Sequence, residues 1–520
     1  MFGVFDLFHN SATRFPDKKA LVTDDACYTY HTLLAEINKA SHGLYKQGIT
    51  AGTRVGILFR NCPEFIILSY ALWKLGACVS FFNFRSNSSE LSLSLRVTEC
   101  EVVIAADEFL NNIRAASTMS DCSGSLKLIS KTTLEESVIC SYEQILSEGD
   151  PSWDRRASVA PDAEVLNIFT GGTTGIPKAA AHTQQGLFLT VIEGLAAKHR
   201  YYEDDVFLNY VPFFHISGLV FFLNILSRGA SLIIASRFEP RYVLKRCMEE
   251  QVTQMSLIPP SLIEKFRECI SEKEAHEQFS SVRIVHLSAG TCGEDTIRKV
   301  FEFFPHAQMG TSFGMSEKAA TLQNLFDQEL FDQKPEIASS VGKPAFFCNL
   351  RILNDDGIEV APRQVGELYG KSVSMMSGYR GRVDSFDDDG WFATGDLFMR
   401  DEEGYYYFVS RKKDMIKCGG ENVYAREIEE ALTSHPAVAE CAVVGLPDKY
   451  FDEIVAAAVV LEEGIKTVSS EELIAFCASQ IASYKKPKLV FYVEELPKNS
   501  LGKVMKSILK DELMTLRSSR

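Results

Sequence analysis

The sequence predicts an α/β fold in two parts. A large N-terminal region is built on mostly parallel sheets covered by helices, and a smaller C-terminal region mixes helices and strands. Three observations carry this prediction. Helical and extended patterns alternate through the first three hundred residues, which implies parallel strands joined by helices. From residue 341 the pattern changes to short extended segments separated by turn signals. From about residue 414 helices and strands alternate again, after a charged and then glycine-rich run over 411–420 that is the best domain-boundary candidate.

Taken in order, residues 5–20 read as a helix and 53–59 as a buried strand. Residues 62–77 place apolar side chains at helical spacing, and 78–82 and 100–106 read as strands. Segments 231–236 and 281–290 read as strands, and 259–270 as a helix. Short β segments follow at 350–360, 365–370 and 404–411. The last part has a helix at 426–436 and strands at 438–447 and 453–461.

Composition bounds the function. The 520 residues are 46% hydrophobic and 24% charged, an ordinary globular mixture. A net charge of −15 argues against a general nucleic-acid binder or a protein of anionic membranes, since both want a basic face. Thirteen dispersed cysteines without a Cys-x-x-Cys pair exclude zinc ribbons and read as reduced thiols. The N-terminus has no basic stretch or cleavage signal. The longest apolar stretches are broken, by Lys74 in 65–84 and by Asn209, His215, Asn224 and Arg228 in 208–235. The expectation is a soluble, cytoplasmic protein without a membrane segment. Its oligomeric state is not legible.

The most informative segment is Phe169-Thr-Gly-Gly-Thr-Thr-Gly-Ile-Pro-Lys178, which follows an apolar strand. Glycines let backbone N–H groups approach phosphate oxygens, threonines add hydroxyl donors, and Lys178 adds a cation. By itself this is a phosphate loop or a flexible polar turn. It is not a Walker A loop, which needs Gly-Lys-Ser/Thr adjacent.

Further motifs follow in order: Pro212-Phe-Phe-His215, Gly310-Thr-Ser-Phe-Gly-Met-Ser-Glu317, Val341-Gly-Lys-Pro344, Gly366-Glu367, Gly378-Tyr379 and Gly390-Trp-Phe-Ala-Thr-Gly-Asp396. Arg411 to Val423 and Pro497-Lys-Asn-Ser-Leu-Gly-Lys503 complete the set. Together with the loop they resemble the AMP-forming acyl-CoA synthetase superfamily of adenylate-forming ligases, over nearly the whole chain. The departures are Ala179 where the family has Gly, Gln184 where it often has His, Phe313 where Tyr is usual, and Ala425 where Pro is common. None removes a charged catalytic group, and Phe313 can still stack on adenine.

The resemblance implies a large multi-subdomain N-terminal domain with parallel sheets over 1–410, which binds ATP and the acid. It implies a small mobile α+β C-terminal domain over 411–520. The implied reaction joins a carboxylic acid to AMP with loss of pyrophosphate, then to coenzyme A, with ATP, Mg²⁺ and coenzyme A required. Lys503, Glu317 and His215 are the implied catalytic residues. The implied nucleotide site comprises Thr170, Gly171, Gly172, Thr173, Thr174, Gly175, Lys178, Gly290, Ser312, Phe313, Gly314, Ser316, Asp396, Arg411 and Lys417. Thr174 and Glu317 would hold Mg²⁺, which prefers hard oxygen ligands. Lys413 is the implied hinge, and Gly419 and Gly420 would line the pantetheine tunnel. Phe213, Phe214, Ile216, Gly310, Thr311 and Met315 are expected around the acyl group. Read singly, Glu317, Asp396 and Arg411 are equally a helix-terminal charge, a turn residue and a surface charge; the ordered set gives them their roles.

Amino-acid-activating members usually carry Asp after the position of His215, and this chain has Ile216. No carboxylate waits for an amine among the expected pocket residues, and no Arg or Lys for a second carboxylate. The expected substrate is therefore a hydrophobic monocarboxylic acid, aliphatic or aromatic. A stand-alone adenylation enzyme that loads a carrier protein, a luciferase-type oxygenase and a catalytically dead adenylate binder are the alternatives. Intact Lys503, Glu317, Asp396 and Arg411 speak against the last.

Overall fold

The computed structural model describes residues 2–518 outside 121–125, 133–137, 171–176, 198–200, 236, 289–291, 383–384, 419–420, 463, 466–467 and 499–503. The expected α/β architecture is present. The chain divides into two compact units, Met1–Asn349 with Lys371–Phe392, and Leu350–Gly370 with Ala393–Arg520. The turn Lys412–Asp414, next to the expected boundary at 410/411, lies inside the second unit.

Among the described residues, the first unit carries two large sheets. One runs through Gln308–Met315, Ile284–Leu287, Gln254–Leu257, Val206–Asn209, Ser231–Ile234 and Lys19–Val22, each parallel to the next. Lys318–Phe326 adds antiparallel beside Gln308–Met315, so those two strands form a hairpin at the sheet's end. The other sheet contains parallel strands such as Arg54–Leu58, Cys78–Phe81 and Val102–Ala105. Its far side ends in the antiparallel strands Glu164–Thr170, Lys178–Thr183 and Gly378–Tyr379.

Local chemistry explains the elements. The helix Pro63–Leu75 starts on a proline, has Glu64 in its first turn and ends at Gly76, whose φ of 74° needs no side chain. Every residue from Phe65 to Leu75 is buried, which is why its apolar residues form a run rather than a stripe. Its Phe65 packs on Phe81 and Phe213, 4.7 and 5.5 Å between ring centres. The helix expected over 5–20 is shorter, Val4–Arg14. Pro16 disfavours helical backbone at Phe15, and the chain enters the strand Lys19–Val22 instead. The helix expected over 259–270 is only Leu262–Arg267, because Pro259 and Pro260 precede it.

The second unit holds a four-stranded sheet containing Phe392–Arg400 and Tyr406–Arg411 as an antiparallel pair. It also holds a five-stranded sheet in which Val438–Asp448 and Asp452–Leu461 pair antiparallel and Leu489–Tyr492 adds parallel. One face of that sheet packs Val443 and Val455 on Ile428 and Leu432 of the helix Ala425–Thr433. The other face packs Val444 and Ala456 on Leu509 and Leu513.

Candidate active site

The hairpin strands Glu164–Thr170 and Lys178–Thr183 pair with Thr170 opposite Lys178, so the loop expected to hold phosphate joins two fixed strand ends. Its residues 171–176, with Gly171, Gly172, Thr173, Thr174 and Gly175, lie outside the described residues, as do Gly290, Gly419, Gly420 and Lys503.

Beside this hairpin the first unit gathers Ser316 and Glu317. The Ser316 hydroxyl donates to the Phe169 carbonyl oxygen at 3.3 Å. The Ser316 carbonyl oxygen lies 2.8 Å from His182 Nε2. A carbonyl only accepts, so the ring carries its proton on Nε2; Nδ1 is buried without a hydrogen-bond partner. Burial pushes the His182 imidazole down to about 4, so it is neutral at pH 7. The Met376 N–H donates to the Glu317 carbonyl oxygen at 2.8 Å, and the Tyr379 hydroxyl donates to Glu317 Oε1. Lys178 Nζ lies over the same tyrosine ring, 4.9 Å from its centre. One cation, one hydroxyl and one buried carboxylate thus sit together at the mouth of the loop hairpin.

Glu317 sits with Ser316 in the turn of a hairpin that has no room to spare. A Cβ at Gly314 would overlap the carbonyl oxygen of Ala319 on the facing strand. Behind the turn Lys318 is fully buried and ion-paired with Glu193, itself 1% exposed. Glu193 also accepts from Ser374 Oγ and the Phe347 N–H, both at 3.0 Å, and Lys318 donates to the Ala320 carbonyl oxygen at 2.7 Å. Charge and hydrogen bonds are matched, as a buried pair requires.

A cavity of about 80 Å³ opens next to this hairpin. Helix Ile216–Arg228 lines it with Ile216, Val220, Phe221 and Asn224, and helix Gln184–Ala196 with Glu193 and Gly194. The sheet side contributes His286, Ser312, Ala319 and Gln323. Of the residues expected around the acyl group, Ile216 lines this cavity. Phe213 is fully buried against Phe65 and Phe222. Phe214 packs edge-on to Phe84 and against the ring of His215. Thr311 is buried with its hydroxyl on the Ser340 carbonyl oxygen, Gly310 pairs with His286 across the sheet, and Met315 packs near Met375 and Met376. Phe313 faces Leu322 across the hairpin. A wider cleft of about 520 Å³ adjoins Lys178, with Arg96, Arg380 and Arg382 on its walls. Arg380 there bridges Glu164 and Glu99.

In the second unit Asp396 and Arg411 are direct cross-strand partners, and Arg411 Nε lies 2.8 Å from Asp396 Oδ1. Asp396 is buried while Arg411 is about half exposed. Glu367 accepts from Lys412 Nζ at 2.8 Å and from the Gly395 N–H at 3.2 Å, which fixes the strand just before Asp396. Burial lowers the Lys413 ammonium below its usual range, against the pull of Asp414. Lys417 sits exposed on the strand Met415–Cys418, its N–H donating to Glu453.

A family model described as AMP-binding enzyme matches residues 8–380, and its C-terminal domain model matches 427–503. The chain belongs to the AMP-binding enzyme family. The 2-succinylbenzoate–CoA ligase of Bacillus pumilus (strain SAFR-032) is 30% identical over 505 residues, covering 96% of each chain. The long-chain-fatty-acid–CoA ligase of Bacillus subtilis (strain 168) is 29% identical over 531 residues, 97% of this chain and 93% of that one. Solved structures of the o-succinylbenzoate CoA synthetase from Bacillus subtilis are 26% identical. With the acyl-adenylate intermediate the TM-score is 0.83 over 97% of each chain. With ATP and a magnesium ion it is 0.82 over 97% of this chain and 99% of that one.

For an AMP-binding enzyme the donor set around Glu317 suits Mg²⁺. Among the described residues no three His, Cys, Asp or Glu side chains converge as a metal cage. Mg²⁺ needs none, because it keeps several waters and is held by one or two carboxylates and the nucleotide's phosphates. Three residues of this site had no role in the sequence reading: His182, Glu193 and Tyr379. Tyr379 stood in a motif without a task, and its spacing from Glu317 carried no local signal.

Proposed function

We propose that this AMP-binding enzyme is an acid–CoA ligase that activates a hydrophobic monocarboxylic acid with ATP. The observation that carries the proposal is the buried Glu317 carboxylate, held by Tyr379 beside Ser316 and Lys178 at the mouth of the loop hairpin. A carboxylate is a poor electrophile because its leaving group is poor. Its oxygen attacks the α-phosphorus of ATP, the bond to the β-phosphate bridge breaks, and pyrophosphate leaves. The coenzyme A thiol then attacks the acyl carbon and AMP leaves. Two anions meet in the first step, so cations and donors must hold them in line.

In this reading Thr170, Lys178 and the loop residues bind the phosphates, and Glu317 with Thr174 carries the Mg²⁺ that neutralises charge developing on them. Ser316 donates to the α-phosphate, and Phe313 and Ser312 border the nucleotide with Gly290 and Gly314. Asp396 accepts from the ribose hydroxyls, a geometry that suits a carboxylate already oriented by Arg411. Lys503 bridges the acid and the α-phosphate, and Lys417 adds positive charge. His215 borders the thiol's approach, and Gly419 and Gly420 leave room for pantetheine. Residues 411–520 act as a lid that turns about Lys413 between the two half-reactions.

Two relatives of nearly equal identity carry names for different acids, so identity does not choose the acid. The cavity does narrow it. Its one carboxylate, Glu193, is already neutralised by Lys318, so neither an amine nor a second carboxylate finds a free opposite charge among the residues that line it. No helix among the described residues is long and apolar enough to cross a membrane. The described cysteines are all free thiols, which fits a reducing, cytoplasmic location.

The test is pyrophosphate release with a panel of medium-chain, aryl, dicarboxylic and amino acids, with and without coenzyme A, and thioester identified by mass. The expected result is AMP, pyrophosphate and an acyl-CoA from an apolar monocarboxylate. Pyrophosphate without thioester would instead point to a carrier-protein acceptor. No pyrophosphate from any acid would sink the proposal.

A further inference from the structure

The cavity beside the hairpin ends on a wall of aromatic rings. Tyr201, Phe221 and His286 line it, and the ring of Phe207 lies behind them, fully buried. The Phe221 ring centre is 4.7 Å from that of Phe207 and 5.5 Å from that of His286, and His286 is 6.1 Å from Tyr201. His286 pairs with Gly310, two residues before Ser312 on the strand Gln308–Met315. The rings therefore stand at the end of the cavity away from Ser316 and Glu317. Hydrogen bonds hold this wall in place. His286 Nε2 lies 2.9 Å from Gln254 Oε1, Gln254 Nε2 donates to Asp205 Oδ2 at 2.7 Å, and Arg283 Nε donates to Asp205 Oδ1 at 2.8 Å. Gln254 and Asp205 are buried, so moving the imidazole aside would leave a buried amide oxygen unpaired.

The size of the closed space then limits what fills it. The cavity measures about 80 Å³, whereas an apolar cavity that binds benzene measures about 150 Å³. Close-packed walls yield little to extra atoms. Phe221 is the part of the wall that meets the tail. It is partly buried, on the cavity-lining face of the helix Ile216–Arg228, while Phe222 and Leu223 beside it are fully buried. A tail that passes Ile216 reaches the Phe221 ring about 7.5 Å farther along the helix axis. Unlike His286, this ring has no polar atom and fills its place by packing alone. Resting on the ligase reading above, we infer that Phe221 is a specificity-determining residue that ends the acyl cavity, and that the acid is a short-chain aliphatic monocarboxylate. An aryl ring or a medium-length chain would have to displace the Phe221 ring from Phe207 and His286.

The experiment measures kcat/KM for thioester formation with propanoate, butanoate, hexanoate, octanoate and decanoate, and with benzoate and phenylpropanoate. In the wild-type protein the optimum lies at hexanoate or shorter. It exceeds decanoate and phenylpropanoate by about tenfold or more, since even one methylene group in an apolar pocket is worth that much. In Phe221→Ala the optimum moves toward octanoate and decanoate, and phenylpropanoate gains on butanoate by about tenfold or more. A wild-type optimum at octanoate or longer, or at an aryl acid, overturns the inference, and so does an optimum that stays in place in the variant. In both cases the thioester formed leaves the ligase reading standing. An absence of pyrophosphate with every acid, short or long, overturns the ligase reading and this inference with it. If Phe221→Ala fails to fold, Phe221→Leu, which keeps an apolar side chain on the helix, decides by the same shift in optimum.

Discussion

The role proposed for Glu317 at a metal–nucleotide complex needs a carboxylate that points the same way in every molecule, and its neighbours see to that. Tyr379 holds one oxygen, the Met376 N–H holds the backbone, and His182 holds the carbonyl of Ser316 before it. His182 gives this arrangement a pH dependence. Its folded pKa is about 4, below the ordinary value of 6.5. Between those values the unfolded chain takes a proton that the folded chain refuses, so stability falls as pH drops through the window and no further below it. The loss is at most about 3 kcal/mol. Denaturant midpoints at several pH values measure it, and His182→Gln, which keeps a donor at the Nε2 position, flattens the dependence. An unchanged slope in the variant would assign it elsewhere. Lys318 supplies a second prediction. Lys318→Met leaves the Glu193 charge buried without its cation and costs about 3–5 kcal/mol, while the double change Lys318→Met with Glu193→Gln recovers most of it. Denaturation of the single and double variants checks this; equal losses would mean the pair is not coupled. The pairing could not be read from the sequence, because its two halves stand on two elements 125 positions apart.

At the scale of elements, periodicity made most of the fold legible. The strands at 54–58, 78–81 and 102–105 and the helix at 63–75 fall where their apolar runs, proline start and glycine stop place them. Their signals are local, since a buried strand or helix writes its environment into consecutive residues. The resemblance places Phe213 and Ile216 together around the acyl group. In the structure Phe213 is enclosed by Phe65 and Phe222, while Ile216 lines the cavity with Val220 and Phe221 of the helix that follows. Contacts between elements are set by three-dimensional packing, which no short window records. The hairpin Gln308–Met315 with Lys318–Phe326 combines both kinds of information. Its motif is plain in sequence, yet the reason for glycine at 314 is the facing Ala319 carbonyl oxygen. Gly314→Ala must push the two strands apart just before Glu317. Pyrophosphate release should fall by about tenfold to a hundredfold, since a misplacement of about 1 Å in an oriented site costs on that order. A variant with wild-type adenylation would show that the turn tolerates the methyl group and that its spacing does not position Glu317.

For the whole molecule, the sequence announces two parts through a change of pattern at 341 and a charged, glycine-rich run at 411–420, and the described structure has two compact units. The family models cover both, at 8–380 and 427–503. Dividing the work between two units lets one chain perform two reactions with different demands. Adenylation joins two anions and needs a cation at their meeting point. Thioester formation begins from a mixed anhydride and needs instead a clear path for a thiol. A lysine on the smaller unit can serve the first step and be carried away before the second. Lys503, in the tight Leu-Gly-Lys sequence, is our choice for that residue. Lys503→Ala should therefore lower pyrophosphate release at least about 10²-fold, the loss found for a single donor to a transition-state oxyanion. Thioester formation from supplied acyl-adenylate and coenzyme A should be nearly unchanged, because in that step the lysine has no charge to neutralise. Both rates come from one preparation, by pyrophosphate assay in the first case and by thioester appearance in the second. Equal loss in both half-reactions would mean that Lys503 stays in place throughout, and the lid would then have to be assigned another purpose than removing it.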